Sequence, residues 1–361
     1  MNVLLTVGIY PPDIGGPATF IPKLAERIIV NGGKSHVIAL SAGASTQKST
    51  SYKLTFVPRS TPLKRFVKCS CSILIGAIHV DKVFSNGLYL ESTLALRLLR
   101  KKSVAKIVGD PIWERLRNLG ETNLPLKDFQ AIKLPLRYRI FRRIYNFSLN
   151  SYTVITCPSN ELVEIVRGWG VKRPVIYIPN GVQVPEKINE VKDFDLIYVG
   201  RLVPWKNVEA VISIAAVAHL KTLIVGSGPL EQQLKMLSVH SGANCIFVGE
   251  QSPGKVSEYL NRSKAFILLS EYEGLSFALL EAMAHGLPAI VSNAKGNTDV
   301  ITDQVNGVVL DLSDLGSRNQ ELIMLLSDDS KLSRMGSQAR DTVNCRFEAD
   351  KQLDKFLELL G

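Results

Sequence analysis

Short runs of leucine and β-branched residues alternate along the chain with longer stretches whose apolar positions recur every three or four residues. In the first half the short runs predict strands over residues 3–7, 36–40, 54–57, 82–85, 105–108 and 153–156. The first helix is expected over 18–31, with Gly32-Gly33 as its stop signal. The second half repeats the rhythm. Strands are expected over 196–199, 222–225, 245–248, 265–268, 289–291 and 307–309, and helices over 208–219, 230–240, 255–261, 277–285 and 320–326. Strands that are apolar throughout, alternating with helices, predict an α/β protein with parallel sheets covered on both faces. Two such units in tandem would be doubly wound domains joined near Pro179-Asn180-Gly181. In open parallel sheets ligands bind beyond the carboxyl ends of the strands, so the residues just after each strand are the ones to inspect.

Composition supports this and narrows the class. A chain of 361 residues exceeds what one core usually serves, and 46% apolar with 21% charged residues is enough to fill two. Of the five cysteines only Cys69 and Cys71 are close, with a one-residue spacer that suits neither a redox pair nor a zinc knuckle. Reduced thiols in a cytoplasmic protein are expected. Residues 2–9 are apolar, but Pro11, Pro12 and Asp13 follow at once, as for a buried first strand rather than a signal peptide. The run over 73–80 is far short of the roughly 20 residues needed to span a bilayer. The expectation is a cytoplasmic protein, peripheral at most on the inner face of the membrane.

The net charge of +10 is unevenly spread. Residues 1–180 carry 26 Lys and Arg against 10 Asp and Glu, a net of +16; residues 181–361 carry 17 against 23, a net of −6. The basic half could face nucleic acid, anionic lipid or a phosphorylated substrate. Its basic residues cluster at 63–68, at Arg97 with 100–102, and over 133–143. In the last cluster Leu136, Ile140, Ile144 and Phe147 recur at helical spacing. Two readings stay open: a packed helix with a solvated basic face, or an amphipathic helix on an anionic membrane, where each base adds about 1 kcal/mol. No aromatic stacking platform for bases is recognisable, so nucleic acid is not expected as a partner.

Three loops carry candidate chemistry. Between strand one and helix one, residues 10–17 include Gly15 and Gly16, which would let backbone approach a phosphate at a helix N-terminus. This is not the G-x-G-x-x-G dinucleotide pattern. After the first strand of the second half, Arg201 and Lys206 lie five apart and could converge on one anion, Arg as a fork and Lys as a point charge; a solvated loop is equally compatible. The segment 270–281 places Glu273 in a loop and Glu281 inside the following helix. The N–H groups of Gly274, Leu275, Ser276 and Phe277 suit a phosphate, and the two carboxylates could accept hydrogen bonds from sugar hydroxyls. A capped helix with two surface acids would read the same way.

Taken together, GGPATF, IPNGV, VGRLVPWKN, VGSGPL and EYEGLSFALLEAMAHGLPAIVS, in this order, resemble the family 4 retaining glycosyltransferases of GT-B fold. The likeness spans nearly the whole chain. It implies two Rossmann-like domains facing a central cleft: an acceptor-binding domain over 1–180 and a donor-binding domain over 181–346. The helix 347–361 would return to the first domain. Arg201 and Lys206 match the pair that grips the donor diphosphate, Glu273 the carboxylate on the donor sugar, and Glu281 the one on the ribose. Gly15 and Gly16 match the loop approaching the donor phosphates. No cofactor and no metal are implied; the donor would be a UDP- or GDP-sugar. Many relatives place a His near the reacting sugar where this chain has Asp110, so Asp110 could contact the sugar or accept a proton, or simply turn a loop before Pro111. His79, His219 and His285 read as structural.

The implied activity is hexose transfer, with retention, to a saccharide or lipid-linked acceptor in cell-surface polysaccharide or glycolipid synthesis. A nucleotide-sugar epimerase or a phosphorylase could use the same fold. A non-catalytic basic protein that binds nucleic acid or membrane is the rival from another class.

Overall fold

The computed structural model describes residues 1–13, 15–41, 51–186, 192–314 and 318–361. They form two compact units. The first comprises Met1–Ile112, Ala131–Pro179 and Asp350–Gly361; the second comprises Trp113–Gln130 and Asn180–Ala349. The segment Trp113–Gln130, expected with the first half, thus belongs with the second.

The first unit holds seven parallel strands: β1 (Asn2–Val7), β2 (Lys34–Ser41), β3 (Lys53–Pro58), β4 (Lys82–Asn86), β5 (Lys102–Lys106), β6 (Val154–Cys157) and β7 (Val175–Tyr177). Their order is β3-β2-β1-β4-β5-β6-β7. Helices α1 (Gly16–Val30), α2 (Pro62–Ile78) and α3 (Tyr89–Leu99) connect the early strands. Between β5 and β6 run α4 (Pro111–Asn118), α5 (Leu126–Phe129) and α6 (Leu136–Leu149), and α7 (Asn160–Gly168) precedes β7. Right-handed crossovers put α1 on one face of the sheet and α2, α3, α6 and α7 on the other. Covered on both sides, Val3, Leu4, Leu5 and Val7 are wholly buried, which is why the strand reads as a continuous apolar run.

β5 begins and ends earlier than the apolar pattern predicts, because its two bounding residues are lysines. Lys106 is buried nonetheless. Its Nζ lies 4.1 Å from the ring centre of Phe20 and 4.8 Å from that of Phe356, and burial pushes its ammonium down to about 7, the nearby Cys157 opposing. Phe356 belongs to α15 (Ala349–Leu360), the last helix, whose ring packs edge-on against Phe20 and Phe84. Arg27 of α1 grips Asp354 with two hydrogen bonds of 2.8 and 2.7 Å.

The helix α6 settles one of the open readings. Tyr138, Tyr145, Ser148 and Leu149 face inward, and Tyr145 meets Tyr89 and Trp169 edge to face. The aliphatic stripe does not pack: Leu136, Ile140, Ile144 and Phe147 are 48% to 68% exposed. Aromatic residues with polar tips fill the buried face instead, so the reading that packs the aliphatic stripe inward does not hold.

The second unit has six parallel strands: β8 (Phe194–Val199), β9 (Thr222–Val225), β10 (Cys245–Gly249), β11 (Ser263–Leu268), β12 (Ala289–Ser292) and β13 (Gly307–Leu310), in the order β10-β9-β8-β11-β12-β13. The connections are α8 (Val208–Val217), α9 (Glu231–Ser241), α10 (Pro253–Asn261), α11 (Phe277–Ala284) and α12 (Lys295–Thr298). Then follow α13 (Asn319–Leu326) and α14 (Asp329–Arg346). The largely polar α14 was not anticipated. It buries only a thin line of residues, and Gly336 lets it close on the loop between α11 and β12, where an added Cβ would lie 2.0 Å from the Gly286 carbonyl oxygen.

Candidate functional site

In each sheet the winding direction reverses between two neighbouring strands, β1 and β4 in the first and β8 and β11 in the second. Beyond the carboxyl ends of such a pair the connecting loops diverge and leave a crevice. In the second unit, β8 delivers Arg201 and Lys206 to that point, and β11 delivers Glu273. Candidates 67 residues apart in sequence meet there because the two strands are adjacent.

Glycines set the loops' close approach. At Gly226, with φ of +132°, an added Cβ would lie 1.9 Å from the Gly200 carbonyl oxygen; at Gly228 it would lie 2.3 Å from that of Leu202. Leu202 N–H donates to the Ser227 carbonyl at 2.9 Å, and the buried Tyr198 hydroxyl donates to the Arg201 carbonyl at 2.9 Å. The backbone at Arg201 is therefore fixed while its side chain stays exposed. Pro204–Lys206 form a single 3₁₀ turn that aims Lys206 across the switch point.

Lys206 Nζ lies 2.5 Å from Glu273 Oε1, and the same oxygen accepts a 2.6 Å hydrogen bond from the Ser270 hydroxyl. The Lys206 and Glu273 side chains are only 17% and 9% exposed, so the pair is held in a poorly solvated place. Glu271 N–H donates to the Trp205 carbonyl at 2.8 Å and ties the two loops together. Gly296 backs the site: a Cβ there would sit 2.0 Å from the Glu273 carbonyl oxygen.

Gly274, Leu275 and Ser276 lead into α11. Ser276 is its N-cap, its hydroxyl accepting from Leu279 N–H at 3.3 Å, and the buried Asn180 amide donates to the Leu275 carbonyl at 2.8 Å. Glu281 lies half-buried in the second turn of α11. His285 closes that helix between the Glu281 carbonyl and the Ser257 hydroxyl, and burial lowers its pKa.

An aromatic cluster that sequence reasoning missed stands behind these loops. Trp113 is wholly buried, with its ring 5.6 Å from Trp205 and 5.4 Å from Tyr272, and its Nε1 donates to the Leu124 carbonyl. One turn on, Arg117 Nη2 lies 2.6 Å from Glu271 Oε2, the arginine side chain only 4% exposed. The available signal was the i, i+4 spacing of Trp113 and Arg117 on one short helix.

In the first unit, Gly15 and Gly16 stand where β1 gives way to α1 as expected, Gly15 as the N-cap at φ +151° and Gly16 as the first helical residue. At the switch point, a Cβ on Gly87 would lie 2.8 Å from Gly8 N. Beside it Asn86 is 3% exposed, and neither side-chain amide atom has a hydrogen-bond partner among the described residues. Asp110 is not displayed for chemistry. It is wholly buried; Oδ1 accepts from Ile112 N–H at 2.9 Å and Oδ2 from Arg142 at 2.7 Å, so the carboxylate anchors the start of α4 to α6. No group of three or more His, Cys, Asp or Glu that could hold a metal ion occurs among the described residues.

Residues 183–342 match the profile of the family described as glycosyl transferases group 1, covering the whole of the β8/β11 site. The match covers less than half of the chain and falls on the second unit, which resembles the group 1 glycosyltransferases. Among curated relatives, the chain is 27% identical to UDP-Gal:alpha-D-GlcNAc-diphosphoundecaprenol alpha-1,3-galactosyltransferase of Escherichia coli, over 64% of this chain and 66% of that one. It thus spans just under two thirds of that relative's length. It is 28% identical to the GDP-mannose-dependent monoacylated alpha-(1-6)-phosphatidylinositol monomannoside mannosyltransferase of Corynebacterium glutamicum, over 99% of this chain and 97% of that one. Among solved structures it superimposes on the Anabaena protein HepE in complex with UDP and glucose with a TM-score of 0.79, covering 99% and 98% of the two chains at 15% identity. At that identity the likeness establishes the fold, which is GT-B.

Proposed function

We propose that this glycosyltransferase moves a hexose, with retention of configuration, from a UDP- or GDP-sugar to a saccharide or lipid-linked acceptor in cell-surface glycan assembly. The observation that carries this reading is the convergence of Lys206 and Glu273 at the β8/β11 switch point, with Arg201 on the same loop as Lys206. Arg201 and Lys206 hold the donor diphosphate and stabilise the charge that develops as it departs, a role we give to these cations rather than to a metal. Glu273, with Lys206 and Ser270 fixing one oxygen, offers the other to sugar hydroxyls. Backbone N–H groups of Gly274, Leu275 and Ser276 take phosphate oxygens, and Glu281 takes the ribose.

The anomeric carbon loses its bond to the diphosphate oxygen and gains one to the acceptor oxygen on the same face. The acceptor proton passes to the departing diphosphate. Asp110 acts by position, holding α4 to α6. The two curated relatives named above carry lipid-linked and phosphatidylinositol acceptors in their names, which favours an acceptor presented at a membrane. No helix among the described residues is long and apolar enough to cross one. We place the enzyme in the cytoplasm, peripheral to the inner membrane face.

The test is a thermal-shift screen with UDP-, GDP-, ADP- and dTDP-sugars, followed by transfer assays on lipid-linked saccharides with the anomeric configuration read by NMR. Saturating donor at a hundredfold excess over its dissociation constant should stabilise the fold by about 2.7 kcal/mol. A shift confined to one nucleotide, lost in Lys206→Ala, with an α-donor giving an α-product, is the expected result. Epimerised sugar, or phosphate-dependent release of sugar phosphate without transfer, would overturn it.

A further inference from the structure

The unpacked stripe of α6 is part of a larger surface. α2, α3 and α6 lie side by side on one face of the first sheet, α3 touching both neighbours. Each turns apolar side chains outward. To the α6 stripe, α3 adds Leu94 and Leu98, 50% and 62% exposed, and α2 adds Leu63, Phe66 and Val67, 41% to 75% exposed. Exposed apolar residues are ordinary when scattered singly, but nine of them on three helices packed side by side mark an interaction surface.

Charge identifies the partner. The three helices carry eight Lys and Arg and a single carboxylate, Glu91, which is buried. Arg142 turns inward to Asp110, whereas Lys64, Lys68, Arg137, Arg139 and Arg143 are exposed. Arg97 lies with its guanidinium 3.7 Å from the ring centre of Phe147 and bonds the Ser151 hydroxyl, so a cation and an apolar ring occupy one patch between α3 and α6. Aliphatic and aromatic groups interleaved with bases, with no exposed acid, suit the headgroup boundary of an anionic bilayer. The apolar groups reach the acyl region and the long basic stems carry their charges to the phosphates. A nucleic acid suits this face less well: most of its exposed apolar groups are Leu, Ile and Val, which offer no ring for a base to stack on, and the Phe147 ring already carries Arg97. A second copy would place this basic face against itself.

We infer that the α2–α3–α6 face seats the protein on an anionic phospholipid surface. It shares with the proposed function only the membrane as the place of reaction; vesicle binding is read without donor or acceptor, so it succeeds or fails independently of transfer.

The experiment is flotation of the full chain with phosphatidylglycerol vesicles or with phosphatidylcholine vesicles at physiological salt. The pairs Ile140→Ser with Ile144→Ser and Arg139→Gln with Arg143→Gln are compared with Val239→Ser, which removes an 80% exposed valine from α9 in the other unit. Circular dichroism confirms folding of each. Wild type and Val239→Ser should float with the anionic vesicles alone, and both paired variants should lose at least tenfold in apparent affinity. Failure of wild type to float overturns the inference, as does retention of binding in both paired variants. So does a wild-type dimer in solution that the isoleucine pair abolishes.

Discussion

Lys206 Nζ and Glu273 Oε1 lie 2.5 Å apart and join the loop after β8 to the loop after β11. Each residue is delivered by a different strand of the switch point, and each limits the other's freedom. On the proposed function, the carboxylate keeps the ammonium oriented until donor binds, and the ammonium then serves the diphosphate as well. Lys206→Ala should therefore leave Glu273 poorly solvated and unpaired. We expect transfer to fall at least a hundredfold, by analogy with removal of a single charge-stabilising donor, with a loss of about 3 kcal/mol in urea unfolding. Adding Glu273→Gln should recover part of the stability and none of the activity.

Gly296 has no room for a side chain against the Glu273 carbonyl, whereas a Cβ on Gly254 would meet nothing within 4 Å. Gly296→Ala must push back the loop that carries Glu273. Donor-induced thermal shift should disappear and the melting temperature should drop by several degrees, while Gly254→Ala leaves both within error. Equal behaviour of the two variants would remove Gly296 from the account.

Arg117 and Glu271 form an ion pair whose arginine is almost fully buried. Removing one partner strands the other, at a cost of about 3 kcal/mol or more, whereas exchanging both for apolar residues of similar volume can be close to neutral. Glu271→Leu should be the most destabilised protein, because it strands the buried guanidinium; Arg117→Met leaves a carboxylate that is 32% exposed and should lose less, and Glu271→Leu with Arg117→Met should regain most of the loss. Chemical unfolding of the single and double variants gives the comparison.

Lys106 predicts a pH dependence. Burial lowers its folded pKa to about 7, against an ordinary lysine value in the unfolded chain. Between those two values the unfolded chain binds a proton that the folded chain does not, so stability rises with pH. Below about pH 7 the lysine is charged in both states and its full burial cost is present. From pH 7 to 9 this one group should add about 2 kcal/mol. Lys106→Met should be more stable than wild type at pH 7 and should flatten the slope. A steeper slope in the variant would contradict this.

Asn86 ends β4 at the switch point of the first sheet with a buried, unsatisfied amide. Such a group costs stability unless something meets it. Asn86→Leu should keep or raise the melting temperature and slow transfer to the acceptor, leaving the donor-induced thermal shift intact. Loss of fold together with activity would make Asn86 structural.

The sequence by itself determined the α/β alternation, most strand positions in both halves and the loops that carry Arg201, Lys206 and Glu273. Those features are local. A strand buried on both faces must be apolar along its length, and a ligand loop must follow the strand that aims it. Tertiary structure alone decided that β8 and β11 are neighbours, and hence that Lys206 meets Glu273. It also assigned Trp113–Gln130 to the second unit, because ring-to-ring packing and a buried ion pair depend on residues more than 90 positions away. It placed Asp110 under Arg142, where a loop aspartate had suggested chemistry. And it turned the aliphatic stripe of α6 outward. A periodic pattern shows that a helix has two faces; only the neighbours that Tyr138, Tyr145 and Leu149 find decide which of them is buried.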